Sequence, residues 1–232
     1  MGNLLIVESK NDQQFLQFLI DYLNCDIEVD APICINQDDY ECLDGLSERQ
    51  LITTLRDLDE NLQKRDIARI GIILDQDDYS QEERLNFVNC CLAQVFHLQG
   101  QLTGVNQWIA VESSQGIPLR LACYFTNVEG QGELETILKK IKSQDSPYAD
   151  CLERWRDCLS GAEKQISDKD FDKFWWNQYI RYDTCSPKEQ RQAGRKCSMR
   201  HFDYVLKHKG SKILNLNHPA LQSLKDFLEL FR

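Results

Sequence analysis

Apolar positions along the first two thirds of the chain alternate between two patterns. Short runs of consecutive apolar residues read as buried strands, and longer stretches with apolar residues every three or four positions read as helices. Residues 3–7 form the first run. Residues 11–23 follow, with Phe15, Leu16, Leu19, Ile20 and Leu23 at helical spacing. Residues 27–35 alternate toward β structure and are interrupted by Pro32. Residues 47–62 place Leu51, Leu55, Leu58 and Leu62 on one stripe, with Ser47 and Gln50 spaced as a capping box. The strongest strand signal is "ARIGIIL", residues 68–74. A helix is predicted over 81–97, turning Leu85, Val88, Leu92, Val95 and Phe96 inward and ending at His97, with Asp78 or Ser80 as its cap. Strands at 108–111 and 118–125 and a helix at 132–141 complete this part.

Strands alternating with helices imply βαβ units, hence an α/β fold with a mostly parallel sheet flanked by helices. Beyond about Ser143 the pattern becomes mainly helical, at 148–159, 169–182 and 219–231, with Gly194 and Gly210 punctuating the stretch between the last two. The expected organisation is an α/β domain over 1–143 and a helical C-terminal extension, 144–232, packed on it.

Composition narrows the class. Of 232 residues, 42% are hydrophobic, enough for a real core. The longest aliphatic runs are far too short to cross a bilayer, and no basic region precedes the first of them, so neither a membrane span nor a secretory signal is expected. Ten scattered cysteines contain no C-x-x-C pair, which argues against a zinc ribbon and for reduced thiols in a cytoplasmic protein. The formal charge of −10 is unevenly spread. Residues 181–212 hold nine Lys/Arg against three acids, including Arg191, Arg195, Lys196 and Arg200, so the remainder carries −16. A basic segment beside an acidic face is a candidate guide for a phosphate backbone.

The acids suggest chemistry. Ligands of a parallel α/β sheet bind beyond the carboxyl ends of its strands. "LLIVESKND" puts Glu8 just past the first strand, and "IGIILDQDDY" puts Asp75, Asp77 and Asp78 just past a later one. In extended chain Asp75 and Asp77 point to the same side. If the two strands are neighbours these carboxylates converge, and clustered carboxylates repel unless a cation neutralises them. Hard oxygen ligands suit Mg²⁺ or Mn²⁺. A third acidic group, Glu133 and Glu135, opens a helix after a loop containing Gly130 and Gly132. Each acid alone reads equally well as a helix cap, Asp12 in the first turn of its helix among them. Trp155, Trp175 and Trp176 could stack bases but read better as core.

At these residues the chain resembles the Toprim superfamily of topoisomerases, primases and OLD-family nucleases, which places a Glu after one strand and a D-x-D after another. More closely, it resembles the DUF3226 group of small Toprim-like proteins. "VESKNDQQFL", "LDQDD", "GELE", "KFWWNQYI" and the segment around His218–Leu228 are similar to that group's motifs in order and spacing. Ser9 stands where the group usually has Gly, and Asn177 where it often has His.

The resemblance implies a Toprim-like, Rossmann-like fold and a two-metal mechanism. Asp75 and Asp77 would hold one ion, Glu8 and Asp12 the other, with Glu133 or Glu135 completing the shell. Lys10 or Lys173 would neutralise charge on the phosphate. The expectation is a Mg²⁺- or Mn²⁺-dependent nuclease acting on DNA or RNA with a separate ABC- or AAA-type ATPase partner, since no Walker A sequence is present. The rival is a non-catalytic Toprim-like module that regulates such a partner or a nucleic-acid complex. A homo-oligomer is left open.

Overall fold

Residues 2–34 and 46–232 are described in a computed structural model of the chain; Ile35, the last residue of the strand expected at 27–35, lies outside them. The chain divides into two compact units. One comprises Met1–Thr126 with Ser223–Arg232, the other Asn127–Gln222.

The first unit is a six-stranded mixed α/β layer. Its elements are β1 (Gly2–Val7), α1 (Lys10–Leu23), β2 (Glu28–Val29), α2 (Glu48–Asn61), β3 (Ile67–Asp75), α3 (Gln81–Ala93), β4 (His97–Leu98), β5 (Ile109–Glu112) and β6 (Pro118–Thr126). The strand order is β2-β1-β3-β6-β5-β4. The first four of these strands are parallel, and β5 and β4 form an antiparallel edge. Consecutive strand residues face opposite sides. Leu4, Ile6, Ile70, Ile72, Leu74, Leu121, Cys123 and Phe125 therefore share one face, buried with Leu51, Leu55 and Leu58 of α2 and Leu85, Val88 and Leu92 of α3. Helix α2 begins as the sequence predicts, at a capping box formed by Ser47 with Gln50; of the two caps left open for α3, Ser80 is the one used, in a capping box with Glu83.

Two expectations fail here. The helix over 81–97 stops at Ala93, and His97 is not a helix end but pairs with Glu112 in the edge hairpin. Val95 and Phe96 are apolar because the chain turns there against the core, so their spacing mimics one more helical turn.

On the opposite face, Gly71 of β3 lies beside Leu5 of β1 and Ala122 of β6. A Cβ on Gly71 would stand 2.5 Å from Leu5 Cδ2, 2.7 Å from Phe231 Cζ and 3.1 Å from Phe227 Cζ. Glycine thus lets the last helix, Gln222–Glu229, lie directly on the strand. Its rings pack against Tyr124 and Trp108. Asn3 Nδ2 and Arg69 Nη1 both donate to the Phe231 carbonyl, at 3.0 and 2.9 Å.

The second unit is helical. It contains α4 (Leu134–Lys140), α5 (Pro147–Gly161), α6 (Asp168–Gln178), a π turn (Tyr179–Asp183), the four-residue helices α7 (Pro187–Gln190) and α8 (Ala193–Lys196), and α9 (Phe202–Ile213); the Gln222–Glu229 helix is α10. Trp175, Trp176 and Tyr179 are fully buried, Trp175 stacked on Tyr179 and Trp176 tilted against it, whereas Trp155 is exposed beside Phe174. The Tyr179 hydroxyl donates to the Ile213 carbonyl at 3.0 Å and accepts from Gln144 N at 3.2 Å. Helix α9 runs through Gly210, which the sequence suggested as a break. Phe202, Val205, Leu206 and Ile213 supply a buried stripe that outweighs the propensity cost of one glycine. The expectation of reduced thiols also yields, because Cys185 and Cys197 form a disulfide across α7 and α8 and Cys34 is disulfide-bonded as well. No described helix is long and apolar enough to cross a membrane.

Candidate functional site

Strands β1 and β3 are adjacent and parallel, with Val7 level with Ile73, so their carboxyl ends share one edge of the sheet. Glu8 leaves β1 at that edge and Asp75 closes β3 there. The backbone N–H of Asp75 donates to Glu8 Oε2 at 3.3 Å. Beyond Asp75 the chain stays beside β6 for one more step, Gln76 N donating to the Thr126 carbonyl at 2.9 Å. Asp77 then adopts φ 52°, a left-handed conformation that ordinary side chains rarely take. Asp75 and Asp77 bring carboxylate oxygens within 4.8 Å of one another. The strand-alternation argument predicted their convergence for a different reason. The chain is not extended at Asp77, and the turn delivers its carboxylate.

The cluster is poorly solvated. Glu8 and Asp75 are each 9% exposed. Burial, reinforced by the negative charges of Asp12 and Asp77, pushes the Glu8 carboxyl up from the usual carboxylate range to about 7, against the opposing pull of Arg84 and the Asp75 N–H. Asp12 is buried as the third residue of α1. Its Oδ2 accepts from Ser9 N at 3.0 Å and Ser9 Oγ at 2.5 Å while Ser9 Oγ receives the Asp12 N–H, so it also closes the α1 capping box.

Arg84, which sequence reasoning missed, supplies the local cation. It sits one turn into α3, where Ser80 has started the helix. Its Nη2 meets Asp77 Oδ2 at 2.5 Å, its Nε donates to the Gln76 carbonyl at 3.3 Å, and its guanidinium lies 4.5 Å above the Tyr79 ring. With a side chain only 5% exposed, it needs the carboxylates as much as they need it. The available signal was an arginine directly after a capping box on an otherwise apolar inward stripe.

Asp78 and Lys10 are exposed. In the second unit, Glu133 precedes α4 with its side chain 3% exposed, and its Oε2 pairs with Lys169 at 3.3 Å and Lys173 at 3.2 Å. Its Oε1 is buried without a hydrogen-bond partner. Gly132, at φ 98°, leaves room for the Thr136 hydroxyl there, since a Cβ would stand 2.6 Å from it. Lys173 is thus engaged by an acid of its own unit, and Lys169 beside it was not anticipated. Glu135 is buried within α4. Asn177 spends its amide on the Lys173 carbonyl at 2.8 Å. Arg191, Arg195 and Arg200 are exposed and Lys196 half-buried, on and after α7 and α8.

A family model described as "Protein of unknown function (DUF3226)" matches residues 2–232. No similar curated protein and no similar solved structure was found.

Proposed function

We propose, from the premise that the chain belongs to the DUF3226 family, that it is a divalent-metal-dependent nuclease of the Toprim type whose metal ligands are Glu8, Asp75 and Asp77, with Asp12 beside them. The observation that carries the reading is the meeting of Glu8 with the Asp75 N–H at the carboxyl edge of two adjacent parallel strands, with Asp77 turned in by its left-handed backbone. The donor set fits Mg²⁺ or Mn²⁺, because it is hard carboxylate oxygen, crowded and partly desolvated. The raised Glu8 proton affinity expresses the same demand for positive charge.

When bound, such ions activate a water and stabilise the leaving oxygen of an in-line phosphoryl displacement. The chain's own residues set the stage. The parallel strands hold Glu8 and Asp75 in fixed register. Arg84 orients Asp77 and offsets charge that would otherwise force the carboxylates apart. Burial, with the charges of Asp12 and Asp77, raises the proton affinity of Glu8, so Glu8 would give up its proton on holding a cation. Arg191, Arg195, Lys196 and Arg200 are accessible for phosphate contacts, and ATP-driven steps would come from a separate ATPase chain.

One observation favours a second reading, a non-catalytic Toprim-like module that regulates a partner ATPase or nucleic-acid complex. Arg84 already occupies the charge-balancing role at Asp77, as a protein that has dispensed with metal would require.

Labelled single- and double-stranded DNA and RNA, incubated with the purified chain and Mn²⁺, separate the two. The nuclease reading expects cleavage that disappears with chelator and falls by about three or more orders of magnitude in Asp75→Ala with the fold intact. Full activity in the Asp75→Ala, Asp77→Ala double variant would remove the assignment. Absence of Mn²⁺ binding by calorimetry together with absence of cleavage would remove the nuclease assignment, and the module reading further expects tight binding to an ATPase partner.

A further inference from the structure

The Cys185–Cys197 disulfide closes a ring containing α7 and α8. Both cysteines are buried, Cys197 more deeply than Cys185. Beside them lies Lys209 of α9, itself buried, a costly place for an ammonium. Its Nζ stands 3.3 Å from Cys197 Sγ, 2.9 Å from Glu189 Oε2 and 3.2 Å from the Thr184 carbonyl. Partial burial would raise the Glu189 carboxyl, but hydrogen bonds from Lys209 and Ser186 hold it down at about 2, so the pair stays charged. A disulfide is neutral and has no need of a cation, and this cation contacts one sulfur of the two.

We propose that Cys185, Cys197 and Lys209 form a thiol–disulfide exchange site, opened by a small dithiol or by the dithiol of a reductant protein. The asymmetry assigns the roles. A reductant thiolate attacks Cys185 Sγ, the S–S bond breaks, and its electron pair leaves on Cys197 Sγ as a thiolate facing the Lys209 ammonium. The reductant's second thiol then attacks its own sulfur in the mixed disulfide. Cys185 departs, taking up a proton, and the reductant leaves oxidised to a disulfide. Two electrons pass to the protein pair. Exchange is faster when the departing thiolate is stabilised, and a neighbouring lysine does this.

The ring is built to respond. Helices α7 and α8 have four residues each; α7 buries no side chain and α8 buries only Ala193. Without the covalent closure and with few buried contacts, this segment is drawn from the low-stability end of the fold. Attack on the less buried Cys185 needs only local opening of the segment. The ring also carries Lys188, Arg191, Arg195 and Lys196 against Glu189, whose charge Lys209 already takes. Reduction therefore changes how a net-positive loop is displayed.

The test uses the full chain purified without reductant and titrated with dithiothreitol, with maleimide labelling resolved by peptide mass. Cys185 and Cys197 are expected to pass from unlabelled to labelled as a pair, and tryptic cleavage after Arg191 and Arg195 to rise along the same titration. Lys209→Gln is expected to slow reduction about ten-fold, while Lys209→Arg stays within about two-fold of the parent. In denaturant all three chains should reduce at one rate. Loosening of the fold by loss of Lys209 would instead speed reduction, so an equal or faster rate in Lys209→Gln overturns the proposal. Labelling of both thiols before any reductant overturns it too. So does stoichiometric zinc released by chelator, which would make Cys185, Glu189 and Cys197 a metal site.

Discussion

Glu8 and Arg84 exert opposite effects on one charge cluster, and their variants should behave oppositely. Glu8 is raised by burial and by Asp12 and Asp77 from 4.5 to about 7. Between those values the folded chain holds a proton that the unfolded chain has released, so stability falls as pH rises through this window and stays reduced above it. Glu8→Gln removes the penalty. Without divalent cation, its melting temperature should exceed the parent's at pH 8, by up to about 3 kcal/mol of stability, and should match it at pH 4. Mg²⁺ should stabilise the parent at pH 8 and the variant much less. Melting curves at the two pH values, with chelator and with Mg²⁺, check both statements, and a variant less stable than its parent at pH 8 would contradict them. Arg84→Met removes the buried guanidinium from half-buried Asp77 and its like-charged neighbours. Breaking a buried pair by removing one partner costs about 3–5 kcal/mol. Millimolar Mg²⁺ should restore part of that loss at neutral pH. Urea unfolding with and without Mg²⁺ measures this, and a loss below about 1 kcal/mol would show that the guanidinium does not balance the cluster.

At the scale of elements, local signals set the starts of helices and long-range packing set their ends and their omissions. Ser9, Ser47 and Ser80 each begin a helix by the same reciprocal capping arrangement, visible in three-residue spacings. Strand β3 was equally legible, because its apolar run is buried on both faces. Helix α9 was not, since Gly210 and a row of Lys and His residues hide a stripe that matters only when a partner surface is present. Gly71 shows the same dependence. Within "ARIGIIL" it is a weak strand former, and only Leu5 beside it with Phe227 and Phe231 above it explain its place. Gly71→Ala should destabilise the chain by about 1–3 kcal/mol, because Leu5, Phe227 and Phe231 are buried and have nowhere to move. Equilibrium urea unfolding tests it, and a neutral result would mean that α10 yields to the added methyl.

At the scale of the molecule, the chain after Gln222 belongs to the same compact unit as the sheet. A chain ending at Gln222 would leave Leu5, Tyr124 and Trp108 uncovered on one sheet face, together with Arg69 and Asn3, which bond the Phe231 carbonyl. It should lose cooperative melting and bind a dye specific for exposed apolar surface. Retained cooperative unfolding at the parent's temperature would show α10 to be dispensable. The change of pattern after about Ser143 is a change from strands to helices, whereas the first compact unit ends at Thr126 and resumes at Ser223. By itself the sequence determined the mixed α/β character, the capped helices and the position of Glu8, Asp75 and Asp77 at strand ends, because periodicity, caps and strand direction are local properties. Only the tertiary structure decided the left-handed turn at Asp77, the cation at Arg84, the Cys185–Cys197 bond and the return of α10 to β3. Each joins residues through a fold whose contacts leave no periodic trace in the chain.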